Sequence, residues 1–222
     1  MAEVRLLREG LPDLLPMQGR SPGVHVSTCI KNLATAAGYL TDKVELSTTW
    51  AQLGCALEHA IRHRYTLHYP GRYVEPGEFE VDGLFGTPDV MDLDPLADPN
   101  LTSDDIELIG DCTTVLEEIK LAWISSRHTP RDCVACPGGT NPNPLPACKK
   151  YWRYEVQLKA YCYAFNTHVG KLNVTHVQGD WKHDGPGPAN KPWLFRFTDD
   201  ELQQNWRMLL KEADRIRNQQ EG

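Results

Sequence analysis

No run in these 222 residues reaches membrane-spanning length, and the opening stretch MAEVRLLREGLPDLLP lacks the continuous apolar core of a secretory signal. Both absences point to the cytoplasm and away from a membrane partner. The chain has no internal repeat, no P-loop and no dinucleotide-binding glycine pattern, which removes solenoids and the common nucleotide-binding designs. Its seven cysteines are odd in number, in a chain too long to need staples, so free thiols or metal ligands are expected rather than disulfides. The most local absence is one of charge. Residues 75–118 hold fourteen Asp and Glu and no Lys or Arg.

The remaining composition is that of a soluble globular chain, 41% hydrophobic and 24% charged, with a net charge of −7. Taken alone, that sign disfavours a nucleic-acid partner. Its distribution does not. Residues 120–160 carry Lys120, Arg127, Arg131, Lys149, Lys150, Arg153 and Lys159 against only Asp132 and Glu155. An acidic block abutting a basic one suits a cation site beside a phosphate track, and equally two ordinary solvated surfaces. The length suits one domain over residues 1–222 with an insert at about 125–148.

The organising stretch runs from Phe79 to Leu121. FEVDGLFGTPDVMDL and IELIGDCTTVLEEIKL carry short apolar runs suited to buried strands, with turn chemistry between them. Two acids land at the inner ends of these strands: Asp89, after Gly86-Thr87-Pro88, and Glu118, which opens Glu118-Ile119-Lys120. Because strand side chains alternate, Glu118 and Lys120 share one face and Ile119 points into the core behind them. Carboxylates on neighbouring strands can hold a hard divalent cation, and a lysine beside it can orient water or offset phosphate charge.

Around this centre, residues 1–26 read as an irregular Pro- and Gly-punctuated arm, followed by a helix from Ser27 to Leu40 capped by Ser27 or Thr28. A second helix begins near Ser47, Thr48 or Thr49 and carries the stripe Leu53, Leu57, Ile61. Glu58 borders that stripe one turn after Gly54, which lets another backbone or a ligand come close, and needs a partner there, for which Arg62 four residues on is available. His59 points elsewhere on the helix. Residues 149–166 form a cationic, aromatic helix on which Gln157 and Tyr161 project together, with Tyr154 one turn earlier. Strands follow at 172–178 and 193–197. A last helix starts at the capping box Thr198-x-x-Glu201, with the stripe Leu202, Trp206, Leu209 or Leu210, Ala213 and Ile216.

Gly54…Glu58, Asp89, Glu118-Ile119-Lys120 and Gln157…Tyr161, in that order, resemble the motifs of the PD-(D/E)XK nuclease superfamily, in its RecB-like and lambda-exonuclease-like branch. The resemblance covers roughly Gly54 to Tyr161, about half the chain. It implies an α/β fold with a central mixed sheet flanked by helices. It further implies Mg²⁺ or Mn²⁺ held by Glu58, Asp89, Glu118 and the Ile119 carbonyl. Lys120, Gln157 and Tyr161 would complete the catalytic set, and DNA would be the substrate, cut at its ends, as in phage recombination, repair or DNA turnover. Some relatives form rings, so a homo-oligomer is also within the expectation. The alternative class is a non-catalytic nucleic-acid-binding module with a structural metal site.

The insert, SSRHTPRDCVACPGGTNPNPLPAC, is too rich in Pro and Gly for helix or strand and needs an anchor if it is ordered. Cys133-x-x-Cys136 with Cys148 can supply one. With His128 these make a Cys3His zinc site. With Cys29 they make an iron–sulfur cluster of the sort found in some RecB-like nucleases, although there the cysteine triplet follows the last nuclease motif and here it precedes Gln157. Unligated thiols are the third reading.

Overall fold

A computed structural model describes residues 5–6, 20–39, 48–124, 149–178 and 189–220. In chain order the elements are β1 (Arg5–Leu6), β2 (Val24–His25), α1 (Val26–Ala36), α2 (Thr48–His68), β3 (Tyr73–Val74), β4 (Phe79–Val81), β5 (Leu84–Gly86) and β6 (Val90–Asp92). After a single 3-10 turn at Pro95–Ala97 come α3 (Ser103–Ile109), β7 (Val115–Ile124), α4 (Lys149–Ala164), β8 (Val169–Gln178), β9 (Ala189–Arg196) and α5 (Asp199–Gln220). The fold is α/β, with a mixed sheet flanked by helices.

That sheet has five strands in the order β3-β6-β7-β8-β9. β7 and β8 run parallel, joined through α4, while the other neighbours are antiparallel. A parallel pair needs such a crossover, and α4 uses it to cover one face of the sheet. Leu158 of α4 packs there with Leu116, Leu172 and Val174 in the main core, which α1 and α5 extend. On the other face, Ile61 and Tyr65 of α2 pack against Tyr73, Val90 and Ile119. Alternation along β7 therefore assigns Leu116 and Glu118 to the α4 side and Ile119 to the α2 side, as strand periodicity requires.

A smaller sheet, β1-β4-β5-β2, stands beside it. Its β4–β5 hairpin turns on Asp82 and Gly83, at φ 51° and 73°. A two-residue turn with both centres at positive φ matches strand twist, and Asp-Gly is the pair that tolerates it. Helix α5 clasps this turn: Trp206 Nε1 donates to Asp82 Oδ2 at 2.8 Å, and Arg217 Nη2 donates to the Gly83 carbonyl at 2.8 Å. Leu202, Trp206, Leu209 and Ala213 of the predicted stripe are buried, and the Thr198–Glu201 capping box forms in both directions.

Three expectations need correction. The stretch 1–26 is not wholly irregular: β2 pairs in parallel with β5 through Val24↔Leu84, and Arg5–Leu6 pairs with β4. Helix α1 begins at Val26, one residue early, with His25 as N-cap and no side-chain cap hydrogen bond, and it stops at Ala36. The run Ile106–Ile109 is helical, not strand. Thr102 and Asp105 form a reciprocal capping box that starts α3, so the local backbone hydrogen bonds prevail over the apolar run. The proposed insert ligands His128, Cys133, Cys136 and Cys148 lie outside the described residues.

Candidate active site

Beyond Glu117, β7 has no partner on β6, because the β6–β7 ladder ends at Val90↔Glu117. The next backbone donor on that side, the Ile119 N–H, would go unpaired within a buried strand, at a cost comparable to a lost hydrogen bond. Asp89, the residue immediately before β6, supplies the acceptor instead: its Oδ2 takes the Ile119 N–H at 2.8 Å. The turn Thr87-Pro88 thus delivers a carboxylate to the point where the sheet opens.

Glu118 and Lys120 sit on the α4 face at this opening, and their side chains are ion-paired to each other. Lys120 Nζ also stands 3.9 Å from Asp89 Oδ2, so the ammonium lies between two carboxylates from different strands. Glu118 is only 1% exposed, and neither of its carboxylate oxygens has a well-formed hydrogen bond among the described residues. Burial pushes its titration up, the nearby Asp89 charge adds to this, and Lys120 only partly offsets them, leaving it at about 8. For Lys120, burial works against the charge, yet the carboxylates of Glu118, Asp89 and Glu58 outweigh it and hold the ammonium well above its ordinary range.

Helix α2 brings two further groups. Glu58 is half-buried, and its charge is felt at Glu118, at Lys120 and at the Cys55 thiol, which is raised first by burial and then by Glu58. Arg62, one turn on, does not serve as a plain helix-surface cation: its Nη1 is 3.6 Å from Asp89 Oδ1. His59 takes another direction and stacks near His63, ring centroids 6.3 Å apart.

Helix α4 closes the α4 side. Gln157 Nε2 donates to the Tyr161 hydroxyl oxygen at 2.7 Å, as their spacing predicts. Tyr161 is buried and its phenol is pushed upward, first by burial and next by the Glu118 charge, which places it against the carboxylates. Its ring packs edge-on against Phe79 at 5.8 Å. Tyr154 offers its face to Lys120 Nζ at 5.8 Å and to the Arg153 guanidinium at 4.8 Å. Glu58, Asp89, Glu118, Lys120, Gln157 and Tyr161 therefore meet in one electrostatic neighbourhood, although they come from two helices, the residue before β6 and, contrary to the expected strand end, the middle of β7.

Among the described residues, no three His, Cys, Asp or Glu side chains are gathered at metal-binding spacing. The ammonium of Lys120 fills the space between Glu118 and Asp89. Cys29 is fully buried in the main core, its thiol raised to about 12 by burial and by Glu212.

Sequence reasoning missed a polar group on the opposite face. Glu117 is 1% exposed beneath α2, where its Oε1 accepts from Asn173 Nδ2 at 2.7 Å and its Oε2 lies 3.3 Å from Lys171 Nζ. Asn173 also donates to the Tyr65 hydroxyl at 2.8 Å, tying α2 to β7 and β8 behind Glu118. The alternation that puts Glu118 on the α4 face puts Glu117 on the α2 face, and a carboxylate at a core position signals a required partner.

No protein-family model matches the chain. No curated protein matches it either. Among solved structures it is similar to the crystal structure of SSO0001, at 14% identity and a TM-score of 0.44, over 90% of this chain and 79% of that one. It is also similar to an alkaline exonuclease, LHK-Exo from Laribacter hongkongensis, at 13% identity and a TM-score of 0.45, over 89% of each chain. At these scores neither likeness bears on what this chain does.

Proposed function

We propose that this chain is a metal-dependent DNA nuclease that hydrolyses phosphodiester bonds, acting at DNA ends. The observation that carries the reading is the Glu118–Lys120–Asp89 cluster: a buried carboxylate whose ion-pair partner among the described residues is the Lys120 ammonium, held beside a second carboxylate. Glu118 has oxygen lone pairs to give and an unfavourable burial that a cation would relieve, so the donor set fits a hard divalent ion. Glu58, Asp89, Glu118 and the Ile119 carbonyl would hold Mg²⁺ or Mn²⁺. When bound, the ion supplies Lewis acidity at the scissile phosphate.

The chain's own groups do the rest. Lys120 stays an ammonium at neutral pH, so it acts as a hydrogen-bond donor and charge stabiliser, orienting the attacking water and the phosphate oxygens rather than taking a proton. Tyr161 stays a neutral phenol, and because its oxygen already accepts from Gln157, its own proton is free for a phosphate oxygen or a water. In the reaction the water oxygen bonds to phosphorus and releases a proton to solvent, the ester P–O bond breaks, and the leaving oxygen takes up a proton from solvent. The chain forms a single domain, and its insert is anchored by Cys133, Cys136, Cys148 and His128 on zinc. One zinc per chain by elemental analysis supports the anchor.

The test is incubation of the full chain with end-labelled single- and double-stranded DNA in Mg²⁺, Mn²⁺ or EDTA. Cleavage that needs the ion and disappears in both Glu118→Ala and Asp89→Ala supports the reading. Binding without cleavage in every condition would make the chain a nucleic-acid-binding module and leave the acids structural.

A further inference from the structure

Two cations stand beside the three carboxylates, and they are not equivalent. Lys120 is committed to Glu118 and borders Asp89. Arg62 is not committed. Its only ion pair among the described residues is the 3.6 Å approach of Nη1 to Asp89 Oδ1, beyond good hydrogen-bond length, and Asp89 already spends Oδ2 on the Ile119 N–H. The Arg62 Nε is buried with no hydrogen-bond partner, while the side chain as a whole is 21% exposed. Arginines with a structural duty look different in this molecule. Arg72 forks Asp92 at 2.9 and 2.8 Å, and Arg215 forks Glu212 at 2.8 and 2.6 Å.

A half-buried guanidinium with unused donors, aimed at a carboxylate cluster, is shaped for an oxyanion that arrives from solvent. Its planar fork matches two oxygens of a phosphate. We infer that Arg62 binds a phosphate group of the substrate, with Asp89 as its resting partner in the free protein. The inference rests on the nuclease reading. It adds a specificity element on α2, one turn from Glu58, that reads the anionic backbone rather than a base. The phosphate is either the one being cut or the terminal phosphate of a DNA end, and the chemistry of recognition is shared.

The experiment is equilibrium binding of a short fluorescent duplex to the full chain in Ca²⁺, with intact DNA verified on a gel, across a series of salt concentrations. Arg62→Gln is expected to weaken binding roughly tenfold to a hundredfold, the worth of a charged hydrogen bond. It should also lower the slope of log K against log salt by about 0.9, one phosphate contact. Arg62→Lys retains the charge without the fork, so it keeps the slope and loses affinity by less. A guanidinium that merely braces Asp89 would leave the slope unchanged in Arg62→Gln, and that result overturns the inference, as does wild-type affinity in that variant. Comparing duplexes ending in 5′-phosphate and 5′-hydroxyl assigns the phosphate: an Arg62 effect confined to the former places it at the terminus, and an equal effect on both places it within the strand. If the wild-type chain binds neither this duplex nor its separated strand, the nuclease reading itself has failed and the inference falls with it; intact wild-type binding with an unaffected Arg62→Gln defeats the inference alone.

Discussion

Glu118→Gln isolates the energetic burden of the proposed site. In the folded chain Glu118 titrates at about 8 against its ordinary 4.5, because burial and Asp89 together outweigh Lys120. Between those two values the folded state holds a proton that the unfolded state has lost, so stability falls as pH rises through this window. A tenfold difference in proton affinity is worth about 1.36 kcal/mol, which makes the whole span on the order of 5 kcal/mol. Against burial, Lys120 is held above its ordinary range chiefly by the Glu118 charge, with Asp89 and Glu58 adding to it, so Glu118 and Lys120 titrate as a pair and the slope belongs to the pair. Glu201 and Glu212 are lowered, so their transitions lie at more acid pH. Glutamine is neutral at every pH and nearly isosteric, so the variant should match wild type near pH 5 and exceed it near pH 8. For a domain of this size that difference corresponds to a rise in Tm on the order of 10 °C. The assay is thermal unfolding in EDTA from pH 5 to 8.5, followed by circular dichroism, with cleavage measured separately in Mg²⁺. Parallel Tm profiles for the two proteins, or a variant less stable than wild type at pH 8, would refute the reasoning. A more stable but inactive variant is the signature of a carboxylate kept for chemistry at the expense of the fold.

Lys120→Ala should lower turnover by orders of magnitude with little change in DNA affinity in Ca²⁺; equal losses in both would make it a simple phosphate clamp. Gly170→Ala places a Cβ 2.6 Å from Leu158 Cγ, where α4 presses on β8, and is expected to cost about 1–3 kcal/mol by urea unfolding. Glu212 is lowered chiefly by its hydrogen bond from Arg215, helped by Asn32 at 3.1 Å, so its stabilisation is present above its unfolded value and lost as pH falls through the depressed one. Glu212→Gln should therefore be less stable than wild type at pH 7, by about 1 kcal/mol, and the two should converge in acid. Tyr65→Phe removes one of the two bonds from Asn173 Nδ2, and is expected to leave Tm within a few degrees while loosening α2, read as faster amide exchange around Glu58.

What could be read from the residues alone was whatever depends on local periodicity. Alternation placed Glu118 and Lys120 together and Ile119 behind them, i,i+4 spacing joined Gln157 to Tyr161, and Thr198-x-x-Glu201 marked where α5 begins. These follow from backbone geometry that every strand and helix shares. Local signals also misled. Ile106–Ile109 has strand-like apolar content, but the Thr102–Asp105 box, with Asp where Glu or Gln is usual, makes it a helix. Only the tertiary structure decided what lies between elements. It decided that β6 stops two residues short of Ile119, so that Asp89 completes the ladder and faces Lys120. It turned Arg62 away from a helix-surface role and toward Asp89. It also buried Glu117 beneath α2 with Asn173 and Lys171 as partners. Strand ends, crossovers and the packing of α2 across the sheet are set by contacts between residues far apart in the chain, and no short window of sequence contains both halves of such a contact.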